Sequence, residues 1–244
     1  MRKFIAGTRL ILVCIFIALY LVVIGIPVLT YCRIIKNPKL ALRLSHVLAG
    51  IVLWFARVKL ITEGREKVDA AKGCVYVANH KSFVDAVALF YALPGNLTFL
   101  AKKELYKIPL VSFALRTMDI IEVDRSNSEA AAESIERAVN YLRNGKCVIL
   151  FPEGTRNRGE GLLPFKKGAF VLAIKAQVPI VPVVIIGAEK VIAPDTIFLY
   201  PATLHITILD PIETKGMDLE QRSELLDYTR SVIESKYMGF LSSL

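Results

Sequence analysis

The chain has 244 residues, 54% of them hydrophobic, and its 31 Lys and Arg outnumber 22 Asp and Glu for a formal net charge of +9. That length suits one large domain, or one domain with an appendage, and the apolar share is high for a freely soluble protein. The charge excess lies entirely in residues 1 to 62, which hold nine basic side chains and no acid. The remainder is charge-balanced and contains no module that reads DNA or RNA, so the basicity points to an anionic membrane surface and away from nucleic acid.

Residues 10 to 32 run 23 positions without a charge, enough for the roughly 20 residues that cross a bilayer's hydrocarbon core. The run is too long for a cleaved signal peptide, and no small-x-small processing site follows it. Gly25 and Pro27 are expected to bend or end this helix in its last third. A second apolar stretch, residues 44 to 56, contains His46 and Trp54 and is short for a span, which fits an interfacial or re-entrant helix. Basic residues flank the first helix on both sides, three before it and four after, so charge bias sets no orientation. Two arrangements follow: a helical pair dipping into one leaflet, or a true span. Either makes residues 1 to 57 a membrane-associated segment on the cytoplasmic face of the cell membrane, and residues 58 to 244 a separate domain.

From residue 58 short β-type runs alternate with helical patterns. Strands are expected over 58–62, 74–78, 97–101, 120–123, 147–151, 179–186 and 204–209. Helices are expected over 86–93, from Pro109 to about Arg116, from Ser128 to Arg143, from Lys167 to Ala176, and from Leu219 to about Tyr237. This alternation predicts an α/β fold, a mostly parallel or mixed sheet flanked by helices, with the N-terminal membrane-associated helical pair attached. Cys14, Cys32, Cys74 and Cys147 have no metal-like spacing and read as small buried hydrophobes in a reducing compartment. No metal site is suggested.

The stretch Asn79-His80-Lys81-Ser82-Phe83-Val84-Asp85 joins a predicted strand to a predicted helix. A histidine at a strand end can meet a carboxylate near the start of the next helix, because the turn folds the chain back. The aspartate would then hold one ring nitrogen and leave the other to take a proton from a bound hydroxyl. Asn, Ser and Asp are also ordinary turn and cap residues, so the pair alone decides little.

Three further patches join this one: Lys102-Lys103-Glu104-Leu105 through Val123-Asp124-Arg125; Phe151-Pro152-Glu153-Gly154-Thr155-Arg156 with Leu163-Pro164-Phe165-Lys166-Lys167-Gly168; and Val178-Pro179-Ile180-Val181-Pro182-Val183. In this order, across residues 58 to 187, they resemble the glycerolipid acyltransferase family, most closely its bacterial 1-acylglycerol-3-phosphate acyltransferases. The resemblance implies that His80 and Asp85 are catalytic, and that the second and third patches hold the glycerol phosphate substrate, with Lys102, Arg125, Glu153, Gly154, Thr155 and Arg156 as the residues concerned. It implies lysophosphatidic acid as acceptor, a thioester of acyl carrier protein or coenzyme A as donor, and no bound cofactor. Lys81 stands where the family often has glutamine, which is tolerable if its side chain points away. The segment Thr117-Met118-Asp119 lacks a glycine common ahead of the second-patch arginine.

Acyl transfer from a thioester to an alcohol needs a base, an oxyanion stabiliser and a hold on both substrates. His80 braced by Asp85 suits direct attack without an acyl-enzyme, and no G-x-S-x-G elbow is present. Ser82 suits a cap or turn role better than a nucleophilic one. Arg156 matches phosphate oxygens in a forked manner, with Arg125 and Lys102 supporting it. Glu153 is suited to accepting from a substrate hydroxyl, to bracing a nearby arginine or to bracing the turn, and Gly154 to positive φ or close backbone approach. Within the same class, glycerol 3-phosphate or another lysolipid is the rival acceptor. Outside it stand a lipase or thioesterase and a non-catalytic lipid-binding protein.

Overall fold

A computed structural model describes residues 2 to 124, 128 to 192, 196 and 198 to 242. The chain opens with α1 (Arg2–Tyr20), which passes through a π-helical turn at Leu21–Gly25 straight into α2 (Ile26–Ile34). Of the two outcomes expected of Gly25 and Pro27, bending or ending the helix, the ending does not occur. Proline has no N–H to give the preceding turn, and the widened turn absorbs the mismatch, with Ile26 N–H donating to the Leu21 carbonyl. The second apolar stretch belongs to α3 (Lys39–Phe55), longer than its 13 apolar residues indicate.

Seven strands follow: β1 (Val58–Glu63), β2 (Val75–Ala78), β3 (Asn96–Lys102), β4 (Ile121–Val123), β5 (Lys146–Leu150), β6 (Ile180–Ile186) and β7 (Ala202–Ile208). They form one sheet in the order β1-β7-β6-β2-β5-β3-β4. The sheet is mixed: β7 is antiparallel to β6, and the other pairings are parallel. Connecting them are α4 (Val84–Ala92), α5 (Pro109–Thr117), α6 (Ser128–Arg143), α7 (Gly168–Ala176) and the four-residue α8 (Ala188–Val191), and α9 (Arg222–Leu241) closes the chain.

Strand alternation splits the core in two. Tyr76 and Ala78 join one apolar cluster with α4, and Leu53 and Ala56 at the end of the α3 segment, with Val13 of α1, belong to that cluster too. Val75 and Val77 face the other way, into a cluster built with α6, α7 and α9. Adjacent strands β2 and β5 thus hand the chain to helices on opposite faces, α4 on one and α7 on the other. Chains diverging in this way open a crevice at the carboxyl ends of the strands, where open α/β sheets bind ligands.

Where the resembled family has a glycine before β4, Asp119 itself adopts φ of +55°, a left-handed conformation that a short polar side chain tolerates. Its carboxylate lies 3.4 Å from Lys146 Nζ. Cys32, Cys74 and Cys147 are buried as expected, whereas Cys14 is exposed on α1.

Candidate active site

His80 and Asp85 lie at the mouth of that crevice. His80 Nδ1 is 2.8 Å from Asp85 Oδ2, and the carboxylate is wholly buried while the imidazole keeps 18% exposure. The same oxygen accepts from the backbone N–H groups of Lys81 at 2.7 Å and Ser82 at 2.8 Å. Burying an unpaired carboxylate costs several kcal/mol, and hydrogen bonds to the charged form, about 1.5 to 3 kcal/mol each, offset that cost. Asp85 also occupies the first turn of α4, where the helix dipole favours a negative charge. An ionised carboxylate only accepts, so His80 Nδ1 carries the hydrogen and Nε2 of the neutral ring is left with a lone pair. The ring is further fixed by stacking on Phe151, with centroids 4.1 Å apart and planes 19° from parallel. Of the other histidines, His46 stacks on Tyr91 and His205 lies against Phe240.

Asn79 locks the turn to the sheet. Its buried amide donates to the Ile185 carbonyl and accepts from the Ile185 N–H, each at 2.8 Å. Ser82 does not cap α4; its hydroxyl donates to the Ile192 carbonyl at 3.2 Å.

The loop after β5 comes alongside. Glu153 is buried, and its two oxygens accept from His80 N–H at 2.8 Å and Leu163 N–H at 2.9 Å. Of the roles open to it from sequence, these bonds to backbone N–H groups describe the turn brace. Burial pushes its carboxyl above the usual glutamate range, although the two backbone donors pull the other way. Gly154 has φ of +71°, a left-handed backbone that favours glycine, and a Cβ there would meet only the flexible end of the Lys166 side chain, at 2.9 Å. Thr155 is exposed. The Arg156 guanidinium lies over the Phe83 ring at 3.5 Å, which brings it to the turn that carries His80.

Lys102 is exposed at the end of β3, with Nζ 3.6 Å from Glu104. Arg125, the remaining expected phosphate ligand, lies outside the described residues. Sequence reasoning missed Phe151 as the ring's stacking partner and Lys81 as a buried member of the site, since both contacts join distant segments. The available signal for Phe151 was its place at the head of the third patch.

An acyltransferase family model matches residues 59 to 186. The chain is 32% identical over 189 residues to a 1-acyl-sn-glycerol-3-phosphate acyltransferase from Limnanthes douglasii, covering 77% of this chain and 66% of that one. It is 30% identical over 186 residues to the enzyme of that name from Borreliella burgdorferi, covering 76% and 74%. For acl-2 of Caenorhabditis elegans the figures are 35% over 176 residues, covering 71% and 62%. The chain thus spans somewhat under two thirds of some relatives and more of others. The crystal structure of the 1-acyl-sn-glycerophosphate (LPA) acyltransferase PlsC from Thermotoga maritima superposes with a TM-score of 0.84 at 26% identity, over 98% of both chains. With the family model covering more than half of its residues, this chain belongs to the acyltransferase family.

Proposed function

We propose that the protein transfers a fatty acyl group from an acyl thioester to the free hydroxyl of 1-acylglycerol 3-phosphate, giving phosphatidic acid. The observation that carries this reading is the 2.8 Å His80–Asp85 bond, which presents Nε2 as a base beside the Arg156 loop. His80 Nε2 takes the hydroxyl proton as the oxygen attacks the thioester carbonyl, and Asp85 supports the imidazolium that forms. The tetrahedral oxyanion then collapses, the C–S bond breaks, and the leaving thiolate recovers the proton from the imidazolium. Arg156 takes the acceptor phosphate in forked geometry, with Lys102 and Arg125 adding charge, and the Gly154-Thr155 backbone lines the turn. The donor is a thioester of coenzyme A or acyl carrier protein.

Residues 1 to 57 bring the site to its substrates, because each buried methylene is worth about 0.8 kcal/mol and long acyl chains stay in the membrane. Among the described residues Lys3–Ile34 is the one helix long and apolar enough to cross a bilayer. Its basic flanks at both ends support a pair lying in one leaflet on the cytoplasmic face.

Purified full-length protein should release thiol from an acyl thioester only when lysophosphatidic acid is present. His80→Ala should slow transfer about 10²- to 10⁴-fold, the usual contribution of a general base. Thiol release without an acceptor would instead identify a hydrolase, and wild-type turnover by His80→Ala would remove the histidine from the mechanism.

A further inference from the structure

Lys81 follows the base directly, and the sequence asks only that its side chain point away. The structure gives it more to do. It is a lysine only 7% exposed, and its ammonium donates to the carbonyls of Gly159 at 2.7 Å and Gly161 at 2.8 Å, with the Tyr237 ring centroid 5.5 Å off. A buried lysine without compensating bonds is costly, so the two carbonyls are a specific receptor for it.

Those glycines lie in the segment that carries Arg156. Asn157, also buried, donates its side-chain amide to the Gly161 carbonyl and accepts from Gly159 N–H, each at 2.8 Å. Its backbone N–H donates to the His80 carbonyl at 2.7 Å. Glu153 ties His80 N–H to Leu163 N–H from the other side. Lys81 is therefore held at both ends: its backbone N–H lies on the carboxylate that orients the base, and its ammonium on the loop that presents the arginine.

The geometry points to Lys81 as a positioning residue that fixes the spacing between the His80 base and the Arg156 guanidinium. On the functional reading above, that spacing sets where the acceptor's hydroxyl and phosphate are held relative to each other. The Lys81 ammonium is taken up by the Gly159 and Gly161 carbonyls, and the residue acts through the 157–163 segment. Burial lowers its affinity for a proton, while Glu153, Glu189, Asp85 and Glu160 oppose the shift.

The test uses full-length enzyme in mixed micelles. Losing two charged hydrogen bonds should raise KM for lysophosphatidic acid about 10-fold in Lys81→Met, with kcat within about threefold of wild type. Lys81→Gln, one bond shorter but with two N–H donors, should bring KM back to within about threefold. Backbone amide hydrogen exchange across residues 157 to 163 should quicken in Lys81→Met, a readout independent of activity. Unchanged acceptor KM, a loss confined to kcat, or unaltered exchange would each overturn the assignment. Should Lys81→Met not fold, Asn157→Ala opens the same latch from the loop side, and it is expected to raise acceptor KM and quicken exchange in the same segment. A wild-type enzyme indifferent to lysophosphatidic acid would defeat the functional reading, and this inference with it. A wild-type enzyme that needs the acceptor, paired with a Lys81→Met variant of normal KM, would defeat the inference alone.

Discussion

The turn at residues 79 to 85 and helix α1 break the ordinary rule of burial in opposite directions. In the turn, Asn79, Lys81, Ser82 and Asp85 are polar and buried. On α1, Leu12, Ile15 and Leu19 are apolar and more than half exposed, and the stripe continues through Val22 in the π-helical turn. Each inversion is unfavourable unless something answers it. The turn's answer is internal: nearly every buried polar atom has a named hydrogen-bond partner. The helix's exposed stripe has no such cover among the described residues, and it requires an apolar surrounding such as a lipid leaflet. One region is therefore finished by folding and the other by a membrane.

The sharpest way to break the first region is Asp85→Asn. Its amide oxygen would take the Oδ2 position, where the Lys81 and Ser82 backbone N–H groups donate, and the neutral group would no longer support the imidazolium that forms, so kcat should fall by about 10²-fold or more. Stopped-assay kinetics check this, and normal kcat would mean that the carboxylate's charge does not support the imidazolium. The second region should fail differently. Ile15→Asp places a charge in the exposed stripe at a cost of roughly 3 kcal/mol in a bilayer, about a 100-fold loss of vesicle partitioning. The enzyme should still turn over short-chain, water-soluble substrates. Cosedimentation at wild-type level would remove the membrane from the account of α1.

A smaller effect separates the two regions by pH. Because burial raises the Glu153 pKa, the folded chain holds that proton where the unfolded chain has released it. This contribution to stability is full below the ordinary glutamate range and is lost as pH rises through the raised value. Wild type should therefore lose stability relative to Glu153→Gln over that interval, as thermal unfolding at stepped pH would show. Vesicle binding through α1 should not follow the same curve. A stability difference that did not vary with pH would contradict the sign of the shift.

Much of the fold was legible because it is local. Strand ends at residues 58, 78 and 186, and a helix from Ser128 to Arg143, follow from periodicity and caps. The histidine-to-aspartate turn was legible for the same reason, since both partners lie within one loop and one helical turn. The reversed β7, the four-residue α8 and the π-helical passage at Leu21–Gly25 were not, because each answers to packing or to a lost hydrogen bond elsewhere. Lys81 shows the limit most clearly. Its receptors are 78 and 80 positions away, and no spacing in the sequence announces a bond across that distance. Glu153 stayed open among three roles until the His80 and Leu163 N–H groups proved to be its donors.

The π-helical turn at Leu21–Gly25 also acts as a phase shifter between the two halves of the first long helix. Each residue added to or taken from an α-helix rotates everything beyond it by about 100°. Ala6 and Val13 face inward before the turn, and Leu29 and Cys32 face inward after it. A regular α-helix over the same residues would keep its composition and hydropathy, yet it would swing Leu29 and Cys32 by about 100° out of their contact with Ala41 and α5. The helix would then be greasy enough to enter a bilayer and wrongly keyed to the protein beneath it.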